Sequence, residues 1–188
     1  MAIRLIIMGP PGVGKGTQAY ILKDTLKIPH LSTGEILRNE IKIGSDIGIL
    51  SKNYIDNGLF VPDDILIKII ERNILQSNCS NGYILDGYPR NLQQVEHLKK
   101  LLIKVNQSID VAISLTAESD EVIKRLIKRS KKSNRSDDTL EIISKRQEVY
   151  WEQTAPIIEY YQKLGILKKV DGLGTIEEIT HRILKIIK

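Results

Sequence analysis

IRLIIMGPPGVGKGTQ, residues 3–18, sets a compact apolar run directly against a turn crowded with glycine, two prolines and one lysine. From Gly9 to Lys15 the turn has the spacing G-x-x-x-x-G-K, with the lysine where a strand gives way to a helix. In such a loop successive backbone N–H groups converge on an anion, and the helix N-terminus adds a partial positive charge. Gly12, Gly14 and Gly16 remove the Cβ atoms that would keep phosphate oxygens away from the main chain. Lys15, expected to stand exposed in the empty loop, reaches the outer phosphates as a point charge. The usual motif puts Ser or Thr straight after the lysine; here Gly16 intervenes and Thr17 follows. The loop reads as a site for a nucleotide triphosphate.

The rest of the composition bounds that reading. At 188 residues the chain fits one domain, and 41% hydrophobic with 27% charged residues are ordinary globular values. A formal charge of +5 permits an anionic partner without naming one. Cys79 is the only cysteine, which excludes an internal disulfide and a cysteine-based zinc site, and it reads as an unremarkable thiol. No apolar run approaches membrane-spanning length, and the N-terminus lacks the order of regions of a secretory signal. A soluble, cytoplasmic protein is expected.

Short apolar runs alternate with longer amphipathic stretches. The runs predict strands at Ile3–Met8, His30–Leu31, Tyr83–Asp86, Val111–Leu115 and Leu167–Val170. Most show little polar alternation, as in strands covered on both faces. Helices are expected over Lys15–Leu26, Thr33–Ile41, Asp46–Asn57, Asp63–Leu75, Leu92–Leu101, Ser119–Arg129, Leu140–Lys163 and Ile176–Ile187. This alternation argues for an α/β fold, a five-stranded parallel sheet wrapped by helices. Two excursions interrupt it. Residues 32–61 hold two helical segments and no strand, and residues 129–138, RSKKSNRSDD, have no apolar side chain. Taken alone, the second reads as a solvated loop.

Three further stretches narrow the class. LSTGEILR places Ser32 three residues before Glu35 as a capping box, with Leu31 and Ile36 as its staple, and carries Arg38 on the second turn. YILDGYPR ends a buried-type strand in Asp86 and turns through Gly87 and Pro89 to present Arg90. RSKKSNR and SKR add Arg129, Arg135 and Arg146 beyond the fourth strand.

GPPGVGKGT, STGEILR, DGYPR and the late arginine set together resemble the adenylate kinases, P-loop nucleoside-monophosphate kinases, over essentially the whole chain. The resemblance implies transfer of the γ-phosphoryl group of ATP to AMP, giving two ADP, with magnesium. It also implies a nucleoside-monophosphate segment at 32–61 and a lid at 128–138. The roughly thirty-residue lid insertion of longer relatives is missing, so the chain is similar to the short-lid form and no zinc is expected. By the same resemblance Gly12, Val13, Gly14, Lys15, Gly16 and Thr17 wrap the ATP phosphates, with Lys15 on the transferred group. Thr33, Arg38, Leu59, Phe60, Val61, Gly87, Tyr88, Pro89, Arg90 and Gln94 line the AMP site, with Thr33 turned toward the base. Arg129 meets ATP, Arg135 and Arg146 bridge the acceptor and the transferring phosphoryl, Arg125 lies against the ATP adenine, and Gly174 offers its backbone to that base. Asp86 holds a water of the magnesium shell. Glu35 stands where many relatives have aspartate. ATP, AMP and ADP are the expected partners of a monomer, with no nucleic acid and no membrane.

The chemistry suits these residue types. Phosphoryl transfer holds two anions in line with their repulsion cancelled and water excluded, which planar guanidinium forks do better than ammonium groups. The chain has nine arginines against nineteen lysines, yet Arg38, Arg90, Arg125, Arg129, Arg135 and Arg146 all fall in the motifs. Arg4, Arg72 and Arg182 read as surface residues, Lys131 and Lys132 as facing solvent, and Trp151, Tyr160 and Tyr161 as packing groups. His30, His97 and His181 show no pattern of a base or metal site. Six phosphate-seeking charges without partners should hold an empty cleft open. A pyrimidine nucleotide kinase is disfavoured by Thr33 and Gln94. A GTP switch is disfavoured because N-K-x-D is missing and because Asp86, at the end of the third strand, is followed at once by Gly87. A nucleic-acid module would rest on charge alone, with only 5% aromatic residues to stack bases.

Overall fold

A computed structural model describes residues 2–131 and 135–187. Five strands, β1 (Ile3–Met8), β2 (His30–Ser32), β3 (Gly82–Asp86), β4 (Val111–Thr116) and β5 (Leu167–Asp171), form one parallel sheet in the order β2-β3-β1-β4-β5. The apolar runs take this form because both faces are covered. Ile6, Met8, Leu31 and Leu85 point into one core, while Leu5, Ile7, Ile84 and Ile113 point into the other. At the edge strand β5, Lys168 and Lys169 face solvent, which discourages further pairing.

The connections are helical: α1 (Lys15–Leu26), α2 (Thr33–Ile43), α3 (Asp46–Asp56), α4 (Asp63–Ile74), α5 (Leu92–Lys104), α6 (Ser119–Ser130), α7 (Leu140–Val149), α8 (Pro156–Lys163) and α9 (Ile176–Ile187). β1 connects towards β2 on one side of the sheet, and β3 connects towards β4 on the other. The strand order therefore reverses between β1 and β3, where Ile7 pairs with Asp86, and a crevice is expected beyond those strand ends. The Ser32 half of the expected capping box is present, its hydroxyl accepting the Glu35 amide at 3.4 Å.

One expected helix is broken. Between α7 and α8 the chain widens into a single π-helical stretch, Tyr150–Thr154, in which the Ala155 amide reaches back five residues to the Tyr150 carbonyl. Pro156, which has no N–H to give, starts the next helix, and this proline was the available sequence signal. Trp151 is 56% exposed, its ring edge-on to Tyr150, so it is not a core residue, whereas Tyr161 is buried. Cys79 is buried, its Sγ 3.2 Å from the Asn73 carbonyl, and burial pushes the thiol up from its ordinary value. Lys131 and Arg72 are exposed as expected; Lys132 lies outside the described residues. Among the described residues no helix is long and apolar enough to cross a membrane.

The two cores are separated by the sheet, which makes them energetically independent. Ile70 on α4 and Ile183 on α9 are both fully buried, one in each core. Ile70→Val and Ile183→Val should each lower stability by about 0.5–1.5 kcal/mol in urea unfolding. The double variant should equal their sum within about 0.5 kcal/mol. A coupling well beyond that would mean the faces communicate through the strands.

Candidate active site

Beyond the C-terminal ends of β1, β2 and β3 lies a cleft of ≈ 930 Å³. Lys15, Arg38, Arg90, Arg125, Arg129, Arg135 and Arg146 all line it, so motifs spread over 130 residues of chain meet in one place.

The glycine loop forms the floor. Gly14 caps α1 in the left-handed region, φ 105°, and nothing lies within 4 Å of where its Cβ would be. Gly12 also has positive φ, and a Cβ there would sit 2.7 Å from the Leu126 side chain and the Val122 carbonyl, so the loop lies pressed on α6. The N-termini of α2, α3, α5 and α7 are capped by Ser32, Ser45, Asn91 and Thr139, whereas α1, like α4, α6 and α8, has no side-chain cap, and of these the glycine loop opens α1 to the cleft. Its terminal amides are left for an anion.

Lys15 is not exposed as expected. Its Nζ donates to the Gly9 and Pro10 carbonyls, at 2.6 and 3.0 Å, and the side chain is partly buried. Burial lowers its pKa to about 8; Asp86 acts in the opposite sense, and Arg90, Arg146 and Arg129 add to the lowering. Burial by itself would raise the Asp86 carboxyl, but a hydrogen bond from His30 and the charges of Lys15, His30 and Arg90 outweigh it and hold Asp86 below its usual value. His30 Nε2 lies 3.1 Å from Asp86 Oδ2. The partner that sequence reading did not find for His30 comes from β2 and β3 being neighbours, with His30 opposite Ile84.

Four of the six guanidiniums, those of Arg90, Arg125, Arg129 and Arg146, have partners, contrary to expectation. Arg129 grips Asp138 with two bonds, Nε at 2.8 Å and Nη2 at 2.6 Å. Arg146 Nη1 reaches Asp137 at 2.9 Å and Asp138 at 3.1 Å, and both carboxylates are buried. Arg125 pairs with Glu121 and donates to the Gly172 carbonyl. Arg90 stacks on the Phe60 ring, 5.0 Å from its centroid, and donates to the Gly87 carbonyl. Burial lowers the Arg90 pKa to about 10, with Arg146 and Arg38 adding to the effect and Asp86 opposing it. The guanidinium stays charged at neutral pH. Arg38 is lowered by burial and then by Arg135, and neither makes an ion pair among the described residues. The Ser136 hydroxyl donates to Asp56 at 2.6 Å, so the second excursion touches the end of the first and the cleft is bridged instead of splayed.

Two expected lining residues stand behind the wall. Gln94 is fully buried, its Oε1 accepting the Arg90 amide at 2.7 Å and its amide donating to Asp63. The Tyr88 hydroxyl is also buried, on the Gln94 carbonyl. Thr33 lines the cleft but is 1% exposed, and its hydroxyl donates to the Gly87 carbonyl at 2.9 Å, so that group ties the start of α2 to the turn after β3. Gly16, Thr17, Val13, Leu59, Phe60, Val61, Gly87, Pro89, Asp86 and Gly174 line the cleft as expected.

Sequence reading missed several groups that act on these. Asp137 and Asp138 supply the counter-charges, and two adjacent acids inside a cationic run were the signal. Gln147, next to Arg146, donates to the Pro11 carbonyl at 2.9 Å and ties α7 to the glycine loop. Thr154, at the end of the π stretch, donates to the Arg90 carbonyl at 2.8 Å. Arg182 bonds the Asp171 and Leu173 carbonyls, so it is no ordinary surface residue.

A family model described as Adenylate kinase matches residues 7–166. The chain belongs to the adenylate kinase family. It is a nucleotide-binding kinase, an enzyme of the transferase class. An adenylate kinase of Leptospira biflexa serovar Patoc is 46% identical over 184 residues, covering 98% of this chain and 99% of that protein. One of Xanthomonas campestris pv. campestris (strain B100) is 44% identical over 181 residues, 96% and 97% of the two chains. One of Xanthomonas oryzae pv. oryzae (strain MAFF 311018) is 44% identical over 183 residues, 97% and 98%.

The lowered Lys15 pKa gives binding a pH dependence. A triphosphate against Lys15 favours the ammonium and raises that pKa, so the free enzyme loses its proton first as pH rises. Affinity should be flat below about pH 7 and fall above pH 8 by up to about tenfold per pH unit. Calorimetry at pH 8.5 in buffers of different ionisation enthalpy should show net proton uptake on binding. Proton release there would contradict the assignment.

Proposed function

We propose that the cleft holds two nucleotides with their phosphates facing, the donor on the glycine loop and the acceptor on the side of α2 and the turn after β3. An adenylate kinase transfers the γ-phosphoryl group of ATP to AMP and forms two ADP, and the exchange is reversible. One observation carries the division: seven cations from separate motifs line one cleft at the switch point of a parallel sheet.

In this reading the uncapped N-terminus of α1 and Lys15 take the donor phosphates, with Lys15 exchanging its two loop carbonyls for phosphate oxygens. Arg38 and Arg135, which both line the cleft without ion pairs among the described residues, take the acceptor phosphate. Arg90 lies between the two sides, held by the Phe60 ring, the Gly87 carbonyl and Gln94. Arg129 and Arg146 stabilise the charge of the phosphoryl in flight. Arg125 and Gly174 bound the donor base, and Leu59, Phe60 and Val61 bound the acceptor base. No general base is required, because the attacking phosphate oxygen is already ionised.

Magnesium fits this site as an ion brought in with ATP. Among the described residues no group of three or more His, Cys, Asp or Glu side chains could cage a metal. Asp86 is an ionised carboxylate beside the glycine loop in the cleft, a hard oxygen ligand suited to orienting a magnesium water. When bound, the ion neutralises phosphate charge; the chain's part is to keep Asp86 ionised through His30 and Lys15. Residues 32–61 act as the acceptor-binding segment and 128–138 as a short lid, whose closure excludes water. The enzyme works as a cytoplasmic monomer on ATP, AMP and ADP, without nucleic acid or membrane.

A coupled assay of ADP formed from ATP with AMP, UMP, CMP or GMP tests the acceptor. AMP should dominate, and equal use of UMP or CMP would overturn the acceptor assignment. Arg129→Lys and Arg135→Lys should each lower kcat by about 10²-fold or more, nearly as far as alanine, because an ammonium cannot reproduce the planar fork. Arg72→Lys, on an exposed helix face, should be silent. Near wild-type rates in the first two would reduce the lid to a solvated loop.

A further inference from the structure

The loop after β5 carries Gly174 to the cleft, and its backbone is fastened at almost every polar group. Arg182, on the second turn of α9, sends Nη1 to the Asp171 carbonyl at 2.9 Å and to the Leu173 carbonyl. Arg125, from α6 on the opposite side, donates to the carbonyl between them, that of Gly172, at 2.9 Å. The Gly172 amide donates to the Thr116 carbonyl at 2.7 Å, and the Leu173 amide to Asp171 Oδ1 at 2.9 Å. Three consecutive carbonyls are thus consumed by two guanidiniums. The Gly174 carbonyl comes next, and it accepts no hydrogen bond among the described residues.

The far end of the loop is fixed as firmly. Thr175 and Glu178 form a reciprocal cap, the Thr175 amide on Glu178 Oε2 at 2.8 Å and the Glu178 amide on the Thr175 hydroxyl at 3.2 Å. Buried Gln18, on the helix that follows the glycine loop, donates to the Ile176 carbonyl at 3.0 Å and accepts from the Thr180 hydroxyl at 2.8 Å. The base loop and the phosphate loop therefore stand at a set spacing. Gly174 itself has φ 112°, and a Cβ there would run into the Glu178 carboxylate and lie 3.5 Å from Arg182 Nη2.

We propose that Arg182, which does not line the cleft, is the positioning residue that sets donor-base selectivity by occupying the Asp171 and Leu173 carbonyls and leaving the Gly174 carbonyl as the loop's acceptor. A fixed carbonyl favours a purine carrying an exocyclic amino donor and repels one carrying an oxo group at the same place. Discrimination of this kind depends on the acceptor's direction being fixed and on no neighbouring carbonyl competing for the ligand. Without Arg182 two more acceptors are released in the loop, and the loop loses one of its anchors to α9. The inference rests on the reading of this loop as the donor-base site.

The test compares kcat/KM for ATP and GTP as donors at saturating AMP in wild type, Arg182→Met and Arg182→Lys. Methionine keeps the stem and removes every donor. Its ATP-to-GTP preference should fall about tenfold through KM for the donor, with kcat and the KM for AMP within about twofold of wild type. Lysine, which retains donors, should recover part of the preference. A preference unchanged in Arg182→Met would reduce Arg182 to a staple of α9, as would an equal rise in both KM values, whatever the change in melting temperature. If wild type itself does not distinguish ATP from GTP, the donor-base reading of the loop fails instead.

Discussion

Seven like charges around one cleft repel each other, and the surrounding structure is arranged to hold them. In the proposed reading the positive groups cannot be spread out, because the phosphates of two nucleotides occupy a small volume. The chain meets the repulsion with buried acids and fixed dipoles. Asp138 takes both Arg129 and Arg146, Asp137 takes Arg146 again, and Asp86 sits against His30 within the field of Lys15. Loop carbonyls hold Lys15, and the face of Phe60 holds Arg90. Arg38 and Arg135 are the exception among the described residues, and this leaves the greatest unmet demand for negative charge on one side of the cleft.

That cleft follows from topology. Parallel strands end on the same edge of a sheet, so the residues after Met8, Ser32, Asp86, Thr116 and Asp171 are gathered without any long-range design. The reversal of direction between β1 and β3 opens the space at that edge. Pairing of Ser32 and Ile7 with Asp86 then brings the capped helix, the glycine loop and the Arg90 turn together. Cross-links fix the remaining degrees of freedom: Gln147 to Pro11, Thr33 to Gly87, Thr154 to Arg90.

What could be read from the sequence divides along the same line. The strands and most helices were legible because each is a local pattern: IRLIIM is apolar throughout, STGE is a cap, and GPPGVGKGT has fixed spacing. Lys15–Leu26 and Ile176–Ile187 fall where periodicity put them. The break at Tyr150–Thr154 was misread because apolar spacing continues through it, and Pro156 was the only local sign. Side-chain partners were not legible, since they depend on register and crossing helices. Nothing near His30 in sequence announces Asp86, 56 residues away, and nothing near Arg182 announces two carbonyls of the preceding loop. The motif arginines could be named individually, but the aspartates that neutralise them could not be assigned.

Those aspartates change what nucleotide binding means here. An arginine already in a charge-assisted pair gains from a phosphate only the difference between two good acceptors, not the whole interaction. Arg129 and Arg146 are in that position, and both are held in place before any ligand arrives. Their contribution to ground-state affinity is correspondingly small, while their orientation is fixed. Charge that moves towards them during transfer is then met without rearrangement, which is the condition for stabilising the transition state more than the bound substrate. A reversible phosphoryl exchange needs this balance, because a site lined entirely by free guanidiniums would hold its products as tightly as it stabilised the reaction. In the proposed reading the buried Asp137 and Asp138 therefore belong to the catalytic design, serving weak binding and strong preorganisation through the same three ion pairs.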